Sequence, residues 1–594
     1  MTVSHFAKTW GAEPLDDDRW RFARWAPTQG EATLVLGSER LGLDRDGEGW
    51  FRTEVRARPD TPYAFEIAGL TVPDPAARAQ AEDVHGPSRL VDPRAYDWHA
   101  RWSGRPWHET VLYELHTGTF SPEGTFDGVR ARLDHLASIG VTAIELCPVA
   151  QFGGQRGWGY DGVLPYAAHT AYGGPEALKR LVDAIHERGL LAFLDVVYNH
   201  FGPDGGYLHA YAPDFFHEEW RTPWGPGIAF DRDPVRRFFV ENALYWLDEY
   251  RFDGLRLDAV DTISDPSEPE LLVELAEAVR AHGFDRPVHL TTEDDRNITR
   301  LHERDETGRV RLYDGEWNDD YHHVAHVLAT GEREGYYGDH AEDPRGDLVT
   351  ALASGYVQQG IVSPHRDGVV RGEPSAHLPP VAFVNFLQNH DQTGNRAFGE
   401  RLTALAEPRA VEVLTALTLL SPFVPLVFMG EEWGETNPFL FFCDFHGELA
   451  QAVRDGRRRE FAKWSAFADP AARDRIPDPN ARETFFASKL DWSKREVPEH
   501  RERLEFVRAL LAIRHAEIVP RLAAVRSLER AEVEPLGERG IRADWPMDGA
   551  RLRMVATLGG SAPGAEAPGG RALFALGDLG RDPWAIAVAL EETR

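Results

Sequence analysis

From about residue 106 onward, short apolar runs alternate with longer amphipathic stretches. Residues 110–114, 143–146, 191–197, 254–258, 288–293, 381–387 and 425–429 are short, apolar and bounded by turn-forming residues, which predicts buried strands. A sixth strand of the series is expected near 310–312. Helical patterns fall between them, as at 174–189 and 233–250. The greasiest stretch, 411–429, is broken by Glu412 and two prolines and predicts a helix followed by a strand. Such alternation predicts an α/β fold, a (β/α)8 TIM barrel, over about 106–516.

The flanks read differently. Residues 21–26, 32–36 and 50–55 have strand character, and Asp46-Gly47-Glu48-Gly49 is a hairpin turn rather than a calcium loop. Residues 1–105 are therefore expected to form a β domain, with 74–93 as a polar, proline-bearing connector. A last amphipathic helix over 501–514 places Leu504, Val507, Leu510 and Leu511 on one face. After about 517 the chain turns β-like again, which predicts a small C-terminal β domain over 517–594 with a loop at 559–571. The excursion at 201–231, rich in Gly, Pro and aromatics, carries few helix signals.

Candidate chemistry sits at the ends of the predicted strands. In Phe252-Asp253-Gly254-Leu255-Arg256-Leu257-Asp258, strand alternation puts Arg256 and Asp258 on one face. The guanidinium would keep Asp258 ionised, as a carboxylate nucleophile requires. Taken alone, the pair fits a structural ion pair equally well. Glu293 and Asp391 also end strand-like segments, however, and residues at the C-terminal ends of barrel strands converge. Three converging carboxylates suit glycoside chemistry.

These residues resemble a known family. Asp195-Val196-Val197-Tyr198-Asn199-His200, the Arg256/Asp258 segment, Glu293 and Asn389-His390-Asp391 match in order the four motifs of the α-amylase family, glycoside hydrolase family 13. The resemblance implies Asp258 as nucleophile, Glu293 as general acid/base and Asp391 as transition-state stabiliser gripping sugar hydroxyls. It implies sugar contacts from His200 and His390, for which metal ligation or core packing is the plainer alternative. It implies stacking of Tyr160 on the cleaved ring, against the alternative of a packed loop aromatic. The N-terminal segment resembles the β-sandwich of glycogen-acting members. The 201–231 excursion corresponds to the family's insertion after the third strand, and is short here.

No cofactor is implied and no metal is expected. Asn199 matches a calcium-binding position of true α-amylases, but the short insertion argues against the remaining ligands. His322, His323 and His326 include a pair four residues apart on a possible helix, without an accompanying zinc pattern. No Gly-x-Ser-x-Gly elbow, phosphate loop or His-Glu-x-x-His is present.

Loops at 199–207, 293–296, 315–323 and 428–435, with Pro438-Phe439, resemble the trehalose-releasing members of the family. Those members cut the α-1,4 bond next to the terminal α,α-trehalose of maltooligosyl trehalose. Trp317, Asp319 and Asp320 are then candidates for lining the trehalose side; a solvated acidic loop is the alternative. An enzyme that converts the reducing end of a maltooligosaccharide to trehalose would supply the substrate. The competing readings are a glycogen branching enzyme, which usually lacks the Tyr198-Asn199 pair, and an isoamylase-type debranching enzyme. A non-catalytic glycan-binding protein is the reading from a different class, and such relatives usually lose the carboxylates retained here.

Composition narrows this further. A formal charge of −31 argues against a nucleic-acid partner and fits a neutral ligand. With only two cysteines, no signal core near the N-terminus and no run approaching a membrane span, a cytoplasmic protein is expected. A few of the 17 tryptophans are expected to line a sugar groove.

Overall fold

Eight short parallel strands close into a barrel: β1 (Leu112–Leu115), β2 (Ala143–Leu146), β3 (Leu191–Val196), β4 (Gly254–Leu257), β5 (His289–Thr292), β6 (Gly315–Trp317), β7 (Phe383–Phe386) and β8 (Val424–Phe428). This computed structural model describes residues 6–15, 18–222, 225–363 and 368–593. The first five residues, part of the segment read for a signal core, lie outside it, as do 223–224 within the 201–231 excursion. Seven strands lie where their apolar runs predict, to within one to two residues at either end.

The sixth strand is the exception. Val310 makes only an isolated bridge to Arg304, and 310–312 is partly exposed. The strand that pairs with β5 and β7 is Gly315–Trp317. Its three residues carry a glycine and a glutamate, so no apolar run marks it. Glu316 is tolerated in the interior because Thr292 Oγ1 and the Asp294 N–H donate to it and His302 Nε2 lies 2.8 Å away.

Inside the barrel the strands divide into two levels. Toward their N-terminal ends, Leu112, Ala143, Leu191, Phe193, Val384 and Leu426 pack an apolar plug. Phe193 fills the space beside Gly254, where an added Cβ would sit 2.1 Å from its ring, so β4 needs glycine there. Toward the C-terminal ends the inward positions turn polar: Glu114 pairs in register with Glu145, and Asp195 with Arg256. Helices Gly174–Glu187, Asp233–Asp248, Leu271–Ala281, Asp319–Thr330 and Pro408–Leu420 surround the barrel. The predicted amphipathic helix spans Pro498–Ile513 and buries Leu504, Val507, Leu510 and Leu511 as expected.

Before the barrel, two antiparallel sheets face each other, one built on Arg19–Trp25 and Trp50–Arg56, the other on Thr33–Leu36 and Pro62–Ile67. The 74–93 connector is no loose tether. Residues 72–80 are buried, and Asp74 accepts a hydrogen bond from Tyr63. Trp10 pins this sandwich to the barrel by donating to Pro234 O and packing on Phe238. Beyond the last helix a five-stranded antiparallel sheet runs from Glu532–Leu536 to Trp584–Glu592, and Trp545 docks it on the barrel by donating to Leu352 O. Among the described residues no helix is long and apolar enough to cross a membrane.

Candidate active site

Arg256, fully buried on β4, organises the C-terminal mouth of the barrel. Its Nη1 donates to Asp195 Oδ2 at 2.6 Å and to Asp258 Oδ1 at 2.9 Å, and its Nη2 donates to Glu293 Oε2 at 2.6 Å. The guanidinium lies over the Trp317 ring, 4.3 Å from its centroid. One rigid fork thus fixes Asp258 and Glu293 relative to each other, a geometry a lysine could not copy.

The backbone helps. Ala259, directly after Asp258, adopts a left-handed conformation at φ +40°, costly for a residue with a Cβ. That bend aims its N–H at Glu293 Oε2, 3.0 Å away. Both donors to Glu293 therefore converge on one oxygen. Oε1 has no hydrogen-bond partner among the described residues, which leaves it available to carry a proton.

The two carboxyls differ electrostatically. Burial, with Asp195 and Asp391 nearby, raises Asp258 to about 6, while Arg256 pulls it down. Desolvation outweighs the ion pair in setting the direction of the shift, and Asp258 is still ionised at neutral pH. Glu293 is pushed well above the ordinary carboxylate range, first by burial and then, against Arg256, by the charges of Asp258 and Asp391. One acid kept charged beside one kept protonated is the division of labour a nucleophile and a general acid need.

Asp391 stands at the first turn of a short helix, His390–Gly394, with its side chain a third exposed. Asn395 Nδ2 donates to it at 3.1 Å and His390 Nε2 approaches at 3.4 Å. Tyr160 stacks on His390, with ring centroids 4.8 Å apart and planes 15° apart, and its hydroxyl donates to Asp195. His200 lies beside them, with Nε2 2.9 Å from Tyr160 O. The geometry brings together Asp258, Glu293, Asp391, Arg256, Tyr160, His200 and His390 around one mouth.

Asp319 joins this group. It is partly exposed, accepts from Gln392 Nε2 at 3.0 Å, and is raised to about 6 by burial and by Asp391.

Trp317 and Asp320 do not line the cleft. Trp317 is 3% exposed and forms the floor beneath Arg256, packed on Phe386. Asp320 is fully buried; Arg371, Asn297 and the N–H groups of Val357 and Gln358 donate to it. The sequence shows two adjacent acids, and the helix beginning at Asp319 turns one outward and one inward. Of the three histidines read for a metal, His322 contacts Leu387 O and Tyr337, and His326 contacts Glu332. Asn199 lies within the site, with Nδ2 donating to Thr262 and, at 3.4 Å, to Asp258.

Residue-by-residue reasoning gives no role to Glu114 and names Asp195 only as the start of a motif. Both are acids inside apolar strands, a signal visible in Tyr113-Glu114-Leu115 and Leu194-Asp195-Val196.

Known proteins share this arrangement's sequence framework. The α-amylase catalytic domain model matches residues 92–224. Malto-oligosyltrehalose trehalohydrolase from Deinococcus radiodurans is 42% identical over 513 residues, covering 86% of this chain and 83% of that protein. The enzyme of the same name from Saccharolobus solfataricus is 40% identical over 508 residues, covering 84% and 86%.

The chain belongs to the malto-oligosyltrehalose trehalohydrolase family.

A Salmonella typhimurium crystal structure described as a putative alpha amylase superposes with a TM-score of 0.95 at 48% identity, covering 99% of this chain and all of that one. A branching enzyme from Thiobacillus denitrificans is 36% identical, but over only 33% of this chain. The trehalohydrolase matches thus cover more than four-fifths of the chain, whereas the branching-enzyme match covers a third of it.

Proposed function

We propose that this protein hydrolyses the α-1,4-glucosidic bond adjacent to the terminal α,α-trehalose of maltooligosyl trehalose, releasing trehalose with retention at the cleaved carbon. The observation that carries the chemistry is the single Arg256 fork holding Asp258 and Glu293 side by side, with Asp258 raised to about 6 and Glu293 pushed well above the ordinary carboxylate range. The carrier for the substrate is family membership over most of the chain.

In the first half-reaction, an Asp258 oxygen attacks the anomeric carbon, and the C–O bond to the trehalose unit breaks. Glu293 delivers the Oε1 proton to the departing oxygen. In the second half, Glu293 takes a proton from water, the hydroxide oxygen attacks the same carbon, and the bond to Asp258 breaks. Asp391 and His390 hold hydroxyls of the distorted ring, Tyr160 stacks beneath it, and His200 borders it. Asp319, with Gln392, faces the trehalose side. The reading requires a supplier reaction that isomerises the reducing end of a maltooligosaccharide into trehalose. The two cysteines, Cys147 and Cys443, are free and buried, in keeping with a reducing compartment such as the cytoplasm.

The test is incubation with maltooligosyl trehalose and, separately, with a plain maltooligosaccharide of equal length. Free trehalose from the first with little cleavage of the second is the expected result. Equal cleavage of both would make the protein a general amylase. New α-1,6 branches on amylose would make it a branching enzyme.

A further inference from the structure

We infer that Glu114, at the C-terminal end of β1 and outside the motifs that carry the family resemblance, is a positioning residue that holds His390 as an imidazolium aimed at Asp391. The inference rests on the catalytic reading above.

Glu114 grips His390 twice. Its Oε1 lies 2.5 Å from His390 Nδ1, and its Oε2 accepts the His390 backbone N–H at 3.1 Å. The second bond fixes the start of the His390–Gly394 turn, which carries Asp391. With Nδ1–H donated to a carboxylate, the other ring nitrogen is the one left to face the cleft. It does so, 3.4 Å from Asp391 Oδ1. Glu114, His390 and Asp391 thus form a line from the barrel interior to the sugar site, all but Asp391 buried.

The surroundings favour a charged ring. The aromatic neighbours are Tyr160, stacked at 4.8 Å, Trp158, edge-on at 5.7 Å, and Trp317, tilted at 6.2 Å. Of the other titratable groups near it, the Cys147 thiol and Glu145 carboxyl are pushed far up by burial and carry no charge, and burial lowers His116 to about 3, leaving it neutral. Tyr160 is likewise protonated. The one cation bearing on the ring is Arg256, already engaged by Asp195, Asp258 and Glu293. Against burial, Asp391 and Glu114 raise His390 to about 10. A cationic donor makes a shorter and roughly twice as strong a hydrogen bond to a sugar hydroxyl or to Asp391 as a neutral ring. Its positive charge also offsets the repulsion between Asp391 and Asp258.

Glu114→Gln tests this. The amide oxygen still accepts from Nδ1–H while the charge is removed; the amide NH2 cannot accept the His390 backbone N–H, a loss that is the same at every pH. Trehalose release is followed from pH 5 to pH 8.5, and the His390 ring is titrated by nitrogen NMR in ligand-free protein, assigned by the spectrum of His390→Gln. The expected result is a loss relative to wild type that is at least about tenfold greater at pH 8 than at pH 5, where the ring is protonated anyway. The ring should titrate within that window in the variant and stay charged throughout in wild type. A loss equal at every pH, or an unshifted ring titration, would overturn the inference, because a merely structural Glu114 moves neither pH dependence nor ring charge. Glu114→Ala, which removes the acceptor, should fail at both pH values, and full activity of this variant at pH 8 would also overturn it. The ring titration needs no substrate. A wild-type protein that releases no trehalose would count against the proposed function alone.

Discussion

Asp253 and Asp258 flank the same strand, β4, and meet opposite fates. Asp253, at the N-terminal end, is fully buried and has four donors within 2.9 Å: Trp102 Nε1, Arg286 Nε, His186 Nε2 and the Ala192 N–H. Burial alone would raise its pKa; His186, Arg286 and the Ala192 N–H outweigh that and hold it below the ordinary value. Asp258, at the C-terminal end, is nearly as buried but has one good donor, Arg256, and a long contact from Asn199 at 3.4 Å. There burial wins, and its pKa rises to about 6. A carboxylate whose lone pairs are all taken is part of the scaffold. One left under-satisfied stores reactivity, and perturbed acids of that kind gather at functional sites.

The largest effect that would sharpen this contrast is on catalysis. Asp258→Asn should lower kcat/KM for trehalose release by about a thousandfold or more. Its melting temperature should equal or exceed that of wild type, since it removes a costly buried charge. A variant that melts early while its folded fraction stays active would abolish the distinction.

Asp253→Asn should do the reverse. Breaking a buried, fully partnered charge costs about 3–5 kcal/mol of stability. Denaturant unfolding should show that loss, while kcat of the folded fraction stays unchanged.

The adjacent pair Asp319 and Asp320 repeats the comparison on a smaller scale. Asp319→Asn should cut trehalose release by about tenfold, the worth of one charge-assisted hydrogen bond to a sugar. Asp320→Asn should lower the melting temperature and leave preference between maltooligosyl trehalose and plain maltooligosaccharide unaltered. Equal effects of the two on preference would merge the roles separated here.

The smallest effect is in pH dependence. For Asp253, the folded pKa lies below the unfolded one, so its stabilisation is present above about pH 4 and fades as the solution is acidified. For Asp258 the folded pKa lies above the unfolded one, so its ionisation costs stability above about pH 6 and that cost is relieved on acidification toward 4. Asp258→Asn should therefore gain stability over wild type at pH 7 and lose that advantage by pH 4. The kcat/KM profile of wild type should rise through about 6 as Asp258 ionises and fall at higher pH as Glu293 loses its proton.

Much of this was written in the chain order. Seven barrel strands announce themselves because fully buried parallel strands must be apolar runs. The acids that end them, together with Arg256 two positions before Asp258, follow from strand alternation alone. Glu293 and Asp391 are legible for the same reason, and the order of the motifs supplies the family. Tertiary structure decided what periodicity cannot carry. β6 hides because Glu316 is satisfied by Thr292, Asp294 and His302 from other segments. Trp317 and Asp320 share the expected composition of a sugar site, yet one lies beneath Arg256 and the other is claimed by Arg371. Glu114 stands 276 residues from the histidine it grips, a distance only barrel closure removes. Sequence fixes which groups are available and which face of an element each takes, since those depend on local geometry. Whether a buried carboxylate is quenched by donors or left to react depends on what the rest of the chain brings to it.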